Sequence, residues 1–96
     1  MQNKVFELIA EKMQEIRNNF GVKRLGIFGS FSRGEATDFS DVDILVEFEK
    51  GEKSFDNFMN LKFYLEDLLG REIDLVTTDA LRPELKDEIL KEVLYA

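Results

Sequence analysis

A chain of 96 residues holds one hydrophobic core and little more, so residues 1–96 are expected to form one domain. Its 44% hydrophobic and 11% aromatic content supports a packed core, while a net charge of −7 with no basic run longer than two residues argues against nucleic acid as a direct partner. The absence of Cys and His removes disulfides, thiol nucleophiles, zinc knuckles and the usual general base, leaving carboxylates, hydroxyls, Lys and Arg for any chemistry.

From the N-terminus, "MQNKVFELIAEKMQEI" mixes charge throughout and lacks a signal-peptide core, and no apolar run approaches the roughly 20 residues that span a bilayer. A soluble, cytoplasmic protein without membrane contact is expected. Residues 3–19 set Val5, Leu8, Ile9, Met13 and Ile16 on one helical stripe, and Gly21 after "NNF" is a left-handed cap. "VKRLGIF" reads as a short strand ending at Gly29, Ser30 to Gly34 as a brief helical turn, and "EATDFS" as a polar connection. A second strand follows from Asp41 to Phe48, with Val42, Ile44, Val46 and Phe48 on one face and Asp41, Asp43, Leu45 and Glu47 on the other.

"EKGEKS" is a loop. Phe55, Phe58, Met59, Leu61, Lys62, Leu65 and Leu69 then keep helical spacing up to Gly70, with Phe63 and Tyr64 partly off the stripe and free to line an interface. "REIDLVT" predicts a third strand with Asp74 in its middle. Pro83 suits the first turn of a last helix carrying Leu85, Ile89 and Val93. The order α-β-(turn)-β-α-β-α predicts an α/β (α+β) fold with a small mixed sheet packed against helices.

Three aspartates fall on or beside strands, where a core needs apolar groups. Two-residue periodicity puts Asp41 and Asp43 on one face, and Asp74 joins them if the third strand lies beside the second. Clustered carboxylates repel and burial raises their pKa values; a hard divalent cation relieves both. Oxygen ligands without His or Cys favour Mg²⁺ or Mn²⁺, and three carboxylates suffice for two such ions, which clamp the attacking and leaving oxygens of an in-line displacement. Gly29 and Ser30 lie between a strand and a helical turn, where backbone N–H groups cradle phosphates and the Ser30 hydroxyl donates to an oxygen. Arg33 either adds a charge-assisted phosphate contact or pairs with Asp38 or Glu35 on the surface. The expected reaction is nucleotidyl transfer, in which an acceptor hydroxyl attacks the α-phosphate and pyrophosphate leaves.

Gly29-Ser30, ten intervening residues and Asp41-Val42-Asp43 together resemble the signature of the polymerase-β-type nucleotidyltransferase superfamily. "GSFSRGEATDFSDVDILVEF" is most similar to its smallest branch, the minimal nucleotidyltransferases (MNT proteins), antitoxins paired with HEPN-domain ribonuclease toxins. The resemblance covers nearly the whole chain: Asp74 of "EIDLV" matches the third carboxylate, and "LRPELKDEILKEVLYA" is similar to the closing helix. Ser32 departs by a small change from the Ala common in "GSxARG". The resemblance implies a polymerase-β-like palm and an antitoxin that transfers AMP from ATP to a tyrosine of its HEPN toxin. It further implies Asp41 and Asp43 as metal ligands and Gly29 and Ser30 as triphosphate binders. Asp74 would share one metal and help deprotonate the acceptor.

Plainer readings stand beside these. Asp-x-Asp before a strand is common turn chemistry, Asp74 suits an edge-strand charge, Ser40 suits a turn cap, and Arg82 a helix-start ion pair. The competing functions are an antitoxin that works by binding alone and transfer to a small-molecule hydroxyl. A chain of this length leaves no room for an acceptor domain, so the acceptor is expected on another macromolecule, in a hetero-oligomer; a homodimer could instead supply a pocket for a small molecule.

Overall fold

The computed structural model describes residues 4–37 and 40–96. The N-terminal stripe folds as two consecutive helices, α1 (Lys4–Glu11) and α2 (Met13–Phe20), where one was expected. They part at Lys12, whose backbone (φ −104°, ψ 5°) leaves the helical basin and whose N–H reaches back only three residues, to Ile9 O at 3.0 Å. The stripe runs through the break: Val5, Ile9, Met13 and Ile16 are all buried. Gly21 then caps α2 in the left-handed region (φ 65°), its N–H donating to Arg17 O at 3.1 Å.

The remaining elements are β1 (Val22–Phe28), the single turn α3 (Ser30–Arg33), β2 (Val42–Phe48), α4 (Phe55–Leu69), β3 (Ile73–Thr77), a 3₁₀ turn at Thr78–Ala80, α5 (Pro83–Glu92) and β4 (Leu94–Tyr95). Ser54 opens α4 by accepting the Asn57 N–H at 3.0 Å. The sheet is mixed, in the order β3-β2-β1-β4. β1 pairs antiparallel with β2 and with β4, while β2 and β3 run parallel, joined through α4. Neither the two-residue β4 nor the 3₁₀ turn at Thr78–Ala80 was announced by the sequence pattern.

β2 sits inside the sheet because both its neighbours share its apolar face. Leu25 and Ile27 of β1, Val42, Ile44 and Val46 of β2, and Ile73 and Leu75 of β3 meet Ile9, Ile16, Leu61 and Leu65 in one core. Each such side chain contributes about 1.5–3 kcal/mol through burial. The opposite face carries Gly26, Asp43, Leu45 and Asp74, with Val93 against Gly26.

Two expected core positions stand out in solvent. Phe55 is 78% exposed because it is the first residue of α4, nearly two turns before Leu61, the first fully buried residue of that helix. Leu85 is 47% exposed, and α5 has no fully buried residue; Ile89 and Val93 are half-buried. Phe63 is exposed as its off-stripe position implies, whereas Tyr64 turns inward, with its ring 5.3 Å from that of Phe20 and its hydroxyl donating to Glu15. No described helix is long and apolar enough to cross a membrane.

The contrast along α4 is measurable by urea unfolding. Leu65→Ala should lower the unfolding free energy by about 2–5 kcal/mol, the range for emptying a buried leucine site. Phe55→Ala should change it by less than about 0.5 kcal/mol, as exposed positions do.

Candidate active site

The register of three strands assembles the site. The Val42 N–H donates to Glu72 O at 3.1 Å, fixing the start of β2 beside β3 and setting Asp41 just outside the strand. One residue further in, Asp43 is the Cα partner of Asp74 on β3 and of Phe28 on β1. Phe28 ends β1, so the next residue, Gly29, is delivered to the Asp43 carboxylate. Gly29 adopts φ 72°, ψ −148°, backbone that side chains reject, and a Cβ built on it would lie 2.2 Å from Asp43 Oδ2. The turn and the Asp-x-Asp strand are therefore in direct contact.

Asp41 and Asp74 are exposed and Asp43 is half-buried. Burial first, then the charges of Asp74 and Asp41, push the Asp43 carboxyl above the ordinary carboxylate range; Arg33 opposes them. Among the described residues, no group of three carboxylates is gathered closely enough to hold a metal ion by itself. The three aspartates form an electrostatic cluster rather than a closed cage.

In the turn, Ser30 starts α3 half-buried, and Ser32 closes it, its hydroxyl donating to Gly29 O at 2.9 Å. Arg33 is engaged twice, by Glu35 Oε1 at 2.5 Å and by Glu92 Oε2 at 3.0 Å. Its expected pairing with Glu35 is thus present; Asp38 lies outside the described residues. Glu92 also accepts the Gly29 N–H through Oε1 at 3.2 Å. Nothing in "LKDEILKEVLYA" distinguishes Glu92 from the other acids of α5, and sequence reasoning missed it. It also missed Arg71, whose guanidinium lies 5.1 Å from the Phe31 ring centre and donates to Thr37 O and Ser40 O, both at 3.4 Å, bracing the connection that leads into Asp41. Ser40 caps that turn, its hydroxyl accepting the Thr37 N–H at 2.9 Å. Arg82 precedes Pro83 at the start of α5 and makes no salt bridge among the described residues.

Comparison with known proteins gives a consistent result. The model of the nucleotidyltransferase domain family matches residues 7–96. The protein adenylyltransferase MntA of Thermococcus cleftensis is 44% identical over 88 residues, covering 92% of this chain and 88% of that protein. A solved structure assigned as a minimal nucleotidyltransferase superposes with a TM-score of 0.82 at 35% identity, over 98% of this chain and 95% of the other. The MNT antitoxin fold also matches in a complex with a tri-AMPylated HEPN toxin from Shewanella oneidensis. There the TM-score is 0.64 at 21% identity, over 93% of this chain and 69% of that one, a likeness of fold alone.

Two outcomes follow from the Gly29–Asp43 contact. Gly29→Ala should destabilise the protein by about 1–3 kcal/mol, the cost of forcing a side chain into such backbone. Removing the blocking carboxylate with Asp43→Ala should recover part of that loss in a double-mutant cycle. A carboxyl whose folded pKa is raised makes the folded state bind the extra proton, so stability falls as pH rises from the unfolded value of 3.8 through the raised one. Asp43→Asn should therefore raise the thermal midpoint at pH 7, and the gain should vanish below the ordinary carboxylate range.

Proposed function

The chain belongs to the nucleotidyltransferase domain family, and from that premise we propose that it is a divalent-metal-dependent antitoxin that transfers AMP from ATP to a tyrosine hydroxyl of a HEPN-domain ribonuclease toxin. The observation that carries the reading is the position of Asp43, with Gly29 against its carboxylate on one side and Asp74 in register on the other. Phosphate-binding turn and carboxylate pair converge on one point. The name of the Thermococcus relative, a protein adenylyltransferase, supports a protein acceptor, and the AMPylated toxin in the Shewanella complex supports a HEPN partner.

The donor set fits a hard cation. The chain has no His or Cys, so carboxylates are the charged donors, and burial together with neighbours of like charge holds Asp43 above its ordinary pKa, a conflict that a divalent ion would relieve. Asp41, Asp43 and Asp74 would hold Mg²⁺ or Mn²⁺, as one or two ions. Mg²⁺ usually takes one or two carboxylates and completes its shell with water and substrate phosphates, so it needs no closed protein cage. When bound, the metal supplies positive charge to the phosphates undergoing displacement.

The chain's own residues do the rest. The Gly29 N–H, the Ser30 hydroxyl and the Arg33 guanidinium hold the triphosphate so that its α-phosphorus faces Asp43 and Asp74. Asp74, exposed on the terminal strand, takes the tyrosine proton as the phenolic oxygen forms its bond to the α-phosphorus. The bond from that phosphorus to the bridging oxygen breaks, and pyrophosphate departs with its electron pair.

Incubation with Mg²⁺, α-labelled ATP and a HEPN protein encoded beside this chain should label that protein on tyrosine, and its Tyr→Phe variant should stay unlabelled. Asp41→Asn/Asp43→Asn should lower transfer by more than about 100-fold, beyond the loss that outer-shell partners of a metal cause. Chelation by EDTA should do the same. Wild-type transfer equal to that of the double variant would overturn the proposal. If the double variant still protects cells from the toxin, stoichiometric binding is the antitoxin mechanism.

A further inference from the structure

Glu92 is the last residue of α5, and its carboxylate spans two donors of the turn, one neutral and one cationic: Oε1 on the Gly29 N–H at 3.2 Å and Oε2 on Arg33 Nη1 at 3.0 Å. We propose that Glu92 competes with the triphosphate for this turn, holding its donors until the nucleotide displaces it. The inference rests on the assignment of Gly29 and Arg33 to the triphosphate.

The argument turns on how many hydrogens each donor has. A guanidinium has five N–H bonds, so Arg33 can serve Glu92 and a phosphate together. The Gly29 amide has one, and Glu92 takes it. A glutamate whose role was to position Arg33 would have no need of that amide. A carboxylate presenting two oxygens to an N–H and a guanidinium also makes the charge-assisted contacts that a phosphate makes. Beside Asp43, moreover, a second carboxylate and a triphosphate are mutually repulsive.

The placement of Glu92 is built into the fold. Beyond it, Leu94 and Tyr95 pair with Ile27 and Gly26, and the Ala96 N–H donates to Leu25 O at 2.9 Å. Val93 packs so closely on Gly26 that a Cβ there would lie 2.7 Å from its Cγ2. These contacts hold the end of α5 over the carboxylate-bearing face and aim Glu92 at the turn, where its side chain is only 27% exposed. The cost of displacement is confined to one side chain.

Titration calorimetry of the full chain with Mg²⁺ and an α,β-methylene analogue of ATP tests this, with tripolyphosphate as a second probe. Glu92→Gln and Glu92→Ala should each tighten binding of both probes by about three- to tenfold, the scale of a partly exposed charge-assisted contact. Glu92→Asp, which keeps the charge but cannot reach, should tighten it as well. In the wild-type chain, saturating analogue should move the Glu92 carboxyl ¹³C resonance to that of a solvated glutamate, a readout that needs no variant to fold. Equal or weaker binding by the Gln and Ala variants, or a Glu92 resonance unmoved at saturation, overturns the competition while leaving the nucleotide site in place. Failure of wild-type and variants alike to bind either probe overturns the assignment of the turn and the competition with it.

Discussion

The site depends on one close approach, that of the Asp43 carboxylate to the backbone of Gly29. It requires a residue without Cβ, a positive φ, and a β1–β2 register that sets Phe28 opposite Asp43. That register is held from the far side of the sheet. Val42 and Ile44 flank Asp43 on β2 and are fully buried against the helices, so a one-residue slip would drive Asp43 into the core and expose both of them. Asp41 and Asp43 are thus aimed by the apolar residues between and beyond them. The core of the domain is also the mount of the site, and its stability and its geometry are properties of the same side chains.

The arrangement opposes stability where it would serve chemistry. Burial and two neighbouring carboxylates make ionised Asp43 unfavourable, and Gly29 is held in backbone that few residues tolerate. Such local conflicts persist only where the surrounding structure fixes them, and they gather at functional sites. Here the surroundings are β2, flanked by strands on both sides, and Arg71, which ties the connection before Asp41 to α3 through Phe31. Neither support touches the expected reaction directly. Both restrict where the carboxylates can go.

Much of this was legible in the sequence because the signals are local. Period-two alternation marks β2 and its acidic face, Gly21 and Gly70 mark helix ends, and the Gly-Ser turn, the Asp-x-Asp and Asp74 stand out as polar groups at strand positions. What was not legible depends on long-range contacts. Glu92 lies 63 residues from Gly29, in a helix that also carries the exposed acids Glu84, Asp87 and Glu88, so no local pattern sets it apart. Strand β4 has two residues, too few for any period, and exists because the β1 edge accepts it. Phe55 kept helical spacing but lies beyond the sheet, a distinction spacing cannot make. The Lys12 break leaves the apolar stripe intact, and for that reason the stripe conceals it.

Asp74 shows why two readings of one residue need not compete. β3 is a terminal strand of the sheet, whereas the β1 side is covered by β4, so a charge in the middle of β3 opposes edge-to-edge association. The same strand is parallel to β2 in a register that sets Asp74 beside Asp43. A base serving a small, enclosed substrate would be better placed inside the sheet, where water is excluded. A base serving a tyrosine carried by another protein must be reachable from outside, and an exposed carboxylate on a terminal strand is reachable. The feature that makes Asp74 look like a mere surface charge is therefore the one that the proposed macromolecular acceptor would require.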